Sequence, residues 1–108
     1  MRNLAPNESA ALEKLKAALA RDFPLVELRL FGSKARGDSD KESDIDVLVV
    51  LEDYDWDTRM AVVDICTDIS IDHGVLLTPV LYSRAEYDSG LTKVTPFYQA
   101  VAREGVPI

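Results

Sequence analysis

The chain has 108 residues, of which 47% are hydrophobic and 29% charged, with a formal net charge of −7. This balance excludes disorder as the default and predicts a single domain over residues 1–108 with a modest apolar core. The negative charge argues against a large nucleic-acid interface. Cys66 is the only cysteine, which excludes an internal disulfide and a cysteine-based zinc site. Because no segment resembles a signal peptide or a membrane span, we expect a cytoplasmic protein without membrane contact.

The first half of the chain predicts a helix followed by two strands. Asn7 is a favourable N-cap for a helix over residues 8–21, which carries a leucine stripe on an alanine-rich body. Apolar residues alternate with polar ones over residues 26–31, which is typical of a half-buried strand. A polar loop, Ser33–Ser43, precedes a second strand, Asp44–Leu51.

The second half predicts another helix, a third strand and two short helices. The helix covers residues 57–72, and its spacing predicts a core-facing stripe of Met60, Val63, Cys66 and Ile69, joined by Val62 and Ile65. The strand covers residues 75–82, where Pro79 favours an edge position or a local irregularity. The capping residues and their helices are Ser83 before residues 84–87 and Thr95 before residues 96–103. This order predicts an α+β or α/β fold in which a small mixed sheet packs with helices.

Two aspartates at the start of the second strand form a candidate metal site. Asp44 and Asp46 are two residues apart, so their side chains leave the same face of the strand at about 6.5 to 7 Å spacing. Acids at a strand entrance are often merely solvated. Carboxylate oxygens are also the ligands that Mg²⁺ prefers, and it is commonly held by one or two carboxylates plus substrate phosphates.

A glycine-containing loop stands just before these acids. Gly32 and Gly37 permit backbone conformations and close approach that a Cβ would block. The Gly32 and Ser33 amides and the Ser33 hydroxyl are candidate donors to phosphate oxygens. Lys34 and Arg36 add positive charge, although ordinary surface charge explains them equally well. The spacing differs from that of a P-loop, so the loop and the strand together predict a different type of nucleoside triphosphate site.

These residues resemble the nucleotidyltransferase superfamily that includes DNA polymerase beta, and in particular its minimal stand-alone members. The family's Gly-Ser, ten residues and Asp-x-Asp appear here as Gly32-Ser33, residues 34–43 and Asp44-Ile45-Asp46. The resemblance implies the nucleotidyltransferase fold, with ATP as substrate and Mg²⁺ as cofactor. It also implies site residues, namely the catalytic metal ligands Asp44 and Asp46 and the nucleotide contacts Gly32, Ser33, Lys34 and Arg36.

The same resemblance implies an activity and a protein partner. Members of this minimal type transfer AMP from ATP to a hydroxyl of a partner protein and act as antitoxins of helical HEPN toxins. The family also uses a third carboxylate on the next core strand, and the predicted strand over residues 75–82 contains none. Asp72 is the nearest acid before that strand. The alternative is therefore a catalytically degenerate module of the same fold, which neutralises or scaffolds its partner by contact.

The long second helix and its entrance carry two further features. Asp64, Asp68 and Asp72 recur at four-residue spacing, which indicates a solvated acidic face or a surface for a basic partner. Tyr54 and Trp56, at the helix entrance, either stack on a nucleotide base or pack against the protein, and we favour packing.

Overall fold

The computed structural model describes residues 4–37 and 44–108, so the predicted polar loop lies largely outside the described residues. In chain order the elements are α1 (Pro6–Asp22), β1 (Leu25–Phe31), α2 (Ser33–Arg36), β2 (Ile45–Leu51), α3 (Trp56–His73), β3 (Leu77–Ser83), α4 (Arg84–Asp88), α5 (Gly90–Lys93), α6 (Pro96–Glu104) and β4 (Val106–Pro107). None of the helices in the described ranges combines the length and apolar character needed to cross a bilayer.

The four strands form one mixed sheet in the order β3-β2-β1-β4. β1 is antiparallel to β2 and β4, whereas β2 and β3 are parallel because α3 connects them. The predicted α+β architecture is therefore confirmed. β3 forms one edge of the sheet, as Pro79 predicted, since a residue without an N–H is tolerated there.

The side chains of β2 alternate between two apolar layers. One layer lies between the sheet and the helices α1 and α3, and its β2 members are Ile45, Val47, Val49 and Leu51. The other is smaller and contains Leu48 and Val50 of β2 with Val101 of α6. Because alternation continues to the strand's start, Asp46 belongs to the face that α6 partly covers.

The N-terminus of α1 differs from the prediction. The helix begins at Pro6, after the cap residue Ala5, because proline is well suited to the first helical position. The Ala5 N–H donates to Oε1 of Glu8 (2.8 Å), which satisfies the end of the helix. Asn7 is therefore not the cap, and its Nδ2 donates instead to the carbonyl of His73 (3.0 Å).

The buried face of α3 is narrower than predicted. Val62, Cys66 and Ile69 are buried, whereas Met60 and Val63 remain more than a third exposed. A helix that rests on a sheet with one side and on α1 with another buries only part of its circumference, so the outer part of the predicted stripe faces solvent. Burial raises the pKa of the Cys66 thiol to about 11.

The short helices after β3 follow their predicted caps. The Ser83 hydroxyl accepts from the N–H of Glu86 (3.1 Å), and the Thr95 hydroxyl accepts from the N–H of Tyr98 (3.2 Å). The helices α2 and α5 and the strand β4 were not predicted, because elements this short do not repeat their hydrophobic period.

Candidate functional site

The loop after β1 begins directly beside the start of β2. Phe31 pairs with Asp46 in the antiparallel register, so the next residue, Gly32, leaves the sheet next to that carboxylate. Gly32 has φ +74° and ψ −156°, a conformation available essentially only to glycine. A Cβ at this position would lie 3.3 Å from Cγ of Asp46 and would overlap its Oδ2. Glycine therefore permits the backbone and the carboxylate to meet.

A single helical turn follows this contact. The N–H of Arg36 donates to the carbonyl of Gly32 (3.1 Å), and the N–H of Gly37 donates to that of Ser33 (2.9 Å). Gly37 ends the turn with φ +81°. Because Ser33 follows Gly32 directly, the predicted phosphate donors lie at the sheet end that carries Asp46.

The electrostatics of the two aspartates favour a bound cation. Burial, reinforced by the charge of Asp44, raises the pKa of Asp46, and the nearby Arg36 only partly opposes this rise. Among residues 4–37 and 44–108, no group of three or more histidine, cysteine or acidic side chains is placed to hold a metal. Two adjacent carboxylates with solvent access fit Mg²⁺, which usually keeps several waters and takes further oxygens from phosphates.

Lys34, a predicted nucleotide contact, points into the protein. Its ammonium forms a 2.5 Å ion pair with Oε2 of Glu8, and only 2% of its side chain is exposed. Glu8 also accepts from Ala5, so this pair joins α2 to the start of α1. The nucleotide role of Lys34 stays a prediction. Glu8 was missed from the sequence, where it reads as an ordinary acid in the first turn of a helix.

Arg36 lies at the surface on the side of the aspartates. Its Nη1 lies 3.1 Å from Oε2 of Glu104, near the end of α6, and its charge acts on Asp46. This ion pair links the candidate phosphate loop to the C-terminal helix. Local sequence could not predict it, because the two residues are 68 positions apart.

The structure also locates the position next to Asp46 on β3. In the parallel register Asp46 faces Thr78, so the two side chains share one face of the sheet. The neighbouring strand thus offers a hydroxyl group at this point. Asp72 lies in the other layer, where its Oδ2 is 4.0 Å from Nζ of Lys14 on α1. Asp72 therefore pairs with α1 on the α3 side of the sheet, whereas Asp46 belongs to the opposite face.

Residues 12–87 match the nucleotidyltransferase domain family. The chain belongs to this family. It is 34% identical over 101 residues to "Putative protein adenylyltransferase MJ0604" of Methanocaldococcus jannaschii, an alignment that covers 92% of this chain and 95% of that protein. The match spans α1 to α4 and therefore includes the Gly32–Asp46 contact.

Solved structures agree with this assignment. The structure of a "putative minimal nucleotidyltransferase" superposes with a TM-score of 0.63 at 27% identity, covering 93% of this chain and 91% of that one. A toxin-antitoxin crystal structure with AMP-PNP gives a TM-score of 0.64 at 22% identity, covering 95% of this chain and 72% of that one. The second likeness concerns the fold alone. Together they support the nucleotidyltransferase fold.

Proposed function

We propose that this nucleotidyltransferase transfers AMP from ATP to a hydroxyl of a partner protein, with Mg²⁺ bound by Asp44 and Asp46, and that it serves as the antitoxin of a helical HEPN-type toxin. The observation that carries the proposal is the packing of Gly32 against the carboxylate of Asp46, since it brings the residues proposed as phosphate donors to the sheet end of the proposed metal ligands. The archaeal relative is named as a putative protein adenylyltransferase, which supports transfer of AMP to a protein. The toxin-antitoxin structure contains AMP-PNP, an ATP analogue, and its assembly supports a protein partner.

Each proposed site residue has a defined task. Asp44 and Asp46 hold Mg²⁺, which when bound neutralises charge on the triphosphate. The Gly32 and Ser33 amides and the Ser33 hydroxyl donate to phosphate oxygens, and Arg36 adds positive charge. The acceptor oxygen bonds to the α-phosphorus of ATP as the bond to the bridging oxygen breaks. Pyrophosphate leaves, and the hydroxyl proton passes to water.

Thr78 gives weight to a second candidate function. No residue of β3 is acidic, and Thr78 is the β3 residue that faces Asp46. A threonine hydroxyl does not accept a proton at neutral pH as a carboxylate does. AMP transfer without a carboxylate at this position is therefore slower. The same fold then acts as a degenerate binding module that neutralises its partner by contact.

Transfer of radiolabel from α-labelled ATP distinguishes the two candidates. The chain is incubated with ATP, Mg²⁺ and the product of the neighbouring gene as the candidate helical partner, and labelled protein is measured. We expect the Asp44→Asn variant to lose label transfer by about 100-fold or more, because a metal ligand is removed. Asp53→Asn, an exposed acid beyond the other end of β2, is the matched control and should retain transfer.

The contradicting result is equally concrete. If the wild-type chain binds that protein but transfers no label, and Asp44→Asn binds it equally well, the contact-only function is correct and the transferase proposal fails.

A further inference from the structure

The outward side of α3 carries a row of apolar side chains that the fold leaves uncovered. The row, called here the α3 outer stripe, consists of the apolar Trp56, Met60, Val63 and Ile71, with Thr67 between the last two, at spacings of three or four residues. Trp56 is 69% exposed and Ile71 is 75% exposed. Packing was predicted for Trp56, and that prediction is wrong. Single exposed apolar residues are ordinary, but four of them along one helix face indicate an interaction surface.

The stripe ends in a groove close to the candidate nucleotide site. An open groove of about 380 Å³ lies between Ile71 on α3 and Leu76, which is 56% exposed just before β3. The carbonyl of Leu76 accepts from the N–H of Ile45 (2.8 Å), and Ile45 separates Asp44 from Asp46. A molecule bound in this groove therefore lies on the α3 side of the strand end that carries both aspartates.

The adjacent edge of β3 is protected against pairing with another strand. The carbonyl of Leu76 points toward β2, and the backbone N–H and C=O groups of successive residues point to alternate edges of a strand. Those of residues 77, 79, 81 and 83 therefore point away from β2, toward the free edge of the sheet. The N–H of Leu77 donates to the Ser70 hydroxyl (3.0 Å), Pro79 has no N–H, and the N–H of Ser83 donates to Glu86 (2.9 Å). The outward N–H is thus engaged or missing at three of the four positions, which disfavours strand pairing at this edge and leaves binding to side chains.

An acidic row beside the stripe defines the complementary charge. Asp57, Asp64 and Asp68 are exposed on the neighbouring face of α3. A second copy of this chain would bring its own acidic row to the contact, and the net charge of −7 adds to that repulsion. From Trp56 to Ile71 the stripe is about 22 Å long, the length of a four-turn helix. It is also only about one side chain wide, which suits ridge-into-groove helix packing.

We propose that the α3 outer stripe and its groove bind an amphipathic helix of the partner protein, with apolar residues on the stripe and lysine or arginine against the acidic row. The proposal deepens the proposed function and rests on it, because the partner helix delivers the acceptor to the nucleotide site. An apolar side chain of that helix fills the groove beside Leu76, which holds the partner near Asp44 and Asp46.

The affinity for the purified product of the neighbouring gene tests this surface. We expect Ile71→Glu to raise the dissociation constant by at least about tenfold, because it places a charge on the stripe. Leu91→Glu is the matched control, since Leu91 is 83% exposed on α5, and its affinity should stay within about twofold of wild type. Asp68→Lys should weaken binding at low salt, whereas Glu13→Lys on α1 should not.

Several outcomes would overturn the proposal. These are unchanged affinity in Ile71→Glu, absence of any complex with the wild-type chain, or sedimentation of the chain as a dimer that Ile71→Glu dissociates. ATP titration and label transfer separate this surface from the nucleotide site. If the wild-type chain transfers no AMP while Ile71→Glu still weakens the complex, the docking surface is correct and the transferase function is wrong.

Discussion

The α-carbon of Gly32 lies against the side-chain carboxylate of Asp46, in a backbone conformation with φ +74°. The contact joins the loop that follows β1 to the strand that carries both acids. Because the two residues are also held by the Phe31–Asp46 pairing, the sheet itself positions them. Any side chain at residue 32 displaces either the loop or the carboxylate.

Replacing Gly32 with alanine should therefore affect nucleotide binding more than stability alone explains. We expect Gly32→Ala to lower the free energy of unfolding by about 2 to 3 kcal/mol, for backbone strain and overlap together. Binding of ATP with Mg²⁺, measured by calorimetry, should weaken at least about tenfold.

Gly74→Ala is the matched control for this glycine. Gly74 has φ +66°, but nothing lies within 4 Å of a Cβ built there. Backbone strain should lower the free energy of unfolding of the Gly74→Ala variant by about 1 to 2 kcal/mol, and the variant should bind ATP as wild type does. Equal loss of ATP binding in both variants would contradict a specific role of the Gly32 contact.

Introducing an acid opposite Asp46 should increase activity. Thr78→Asp places a carboxylate on the face shared with Asp46, where it accepts the proton of the attacking hydroxyl. General bases typically contribute about 10²- to 10⁴-fold, so we expect AMP transfer to rise at least about tenfold in the label-transfer assay. Thr78→Asn has a similar shape without the negative charge and should give no increase. A rise in both variants would argue against proton transfer as the cause.

The buried Glu8–Lys34 pair should contribute to stability as a unit. Removing one charge leaves the other uncompensated in the interior, so Lys34→Met should lower the free energy of unfolding by about 3 to 5 kcal/mol in urea titrations. Glu8→Gln retains an acceptor for Ala5 but loses the charge. The free energy of unfolding of the double variant should fall by less than the sum of the decreases in the two single variants.

The same double variant separates the two roles of Lys34. Wild-type ATP affinity in the folded double variant identifies Lys34 as a residue that positions the loop. A weakened ATP affinity without further unfolding supports the predicted contact with the nucleotide.

The cap of α3 should make stability depend on acid pH. The Thr58 N–H donates to Oδ1 of Asp55 (2.8 Å), and this bond lowers the pKa of Asp55 below its ordinary 3.8. A lowered pKa means that the cap's contribution is complete above that value and is lost as the pH falls through the folded-state pKa. Thermal unfolding should show that Asp55→Ala lowers Tm at pH 7.

The difference in Tm between Asp55→Ala and wild type should shrink as the pH falls below about 3.8. Asp55→Asn keeps an N-cap oxygen and should lie between the two at neutral pH. A Tm difference that stays constant down to strongly acidic pH would show that the carboxylate charge does not stabilise this helix.

Local patterns were sufficient for most of the fold. The alternation in β2 places Asp44 and Asp46 on one face because successive side chains of any strand point to opposite sides. Proline restricts its strand to an edge, and hydroxyl side chains cap the helices that follow them, so Pro79, Ser83 and Thr95 were interpreted correctly. These features depend on neighbours within a few residues, which the sequence contains directly.

Tertiary structure decided which distant residues meet the aspartates. The parallel register of β2 and β3 places Thr78 beside Asp46, and helix packing places Asp72 next to Lys14 in the other layer. The burial of Lys34 requires Glu8, and the exposure of Trp56 and Ile71 depends on which side of α3 meets the sheet. Hydrophobic periodicity indicates that a helix has an apolar side, but it does not specify how wide a part of that side its neighbours cover. The sequence by itself thus determined the nucleotidyltransferase motif and the strand that carries it. Only the packing of the strands and helices decided which distant side chains surround that motif.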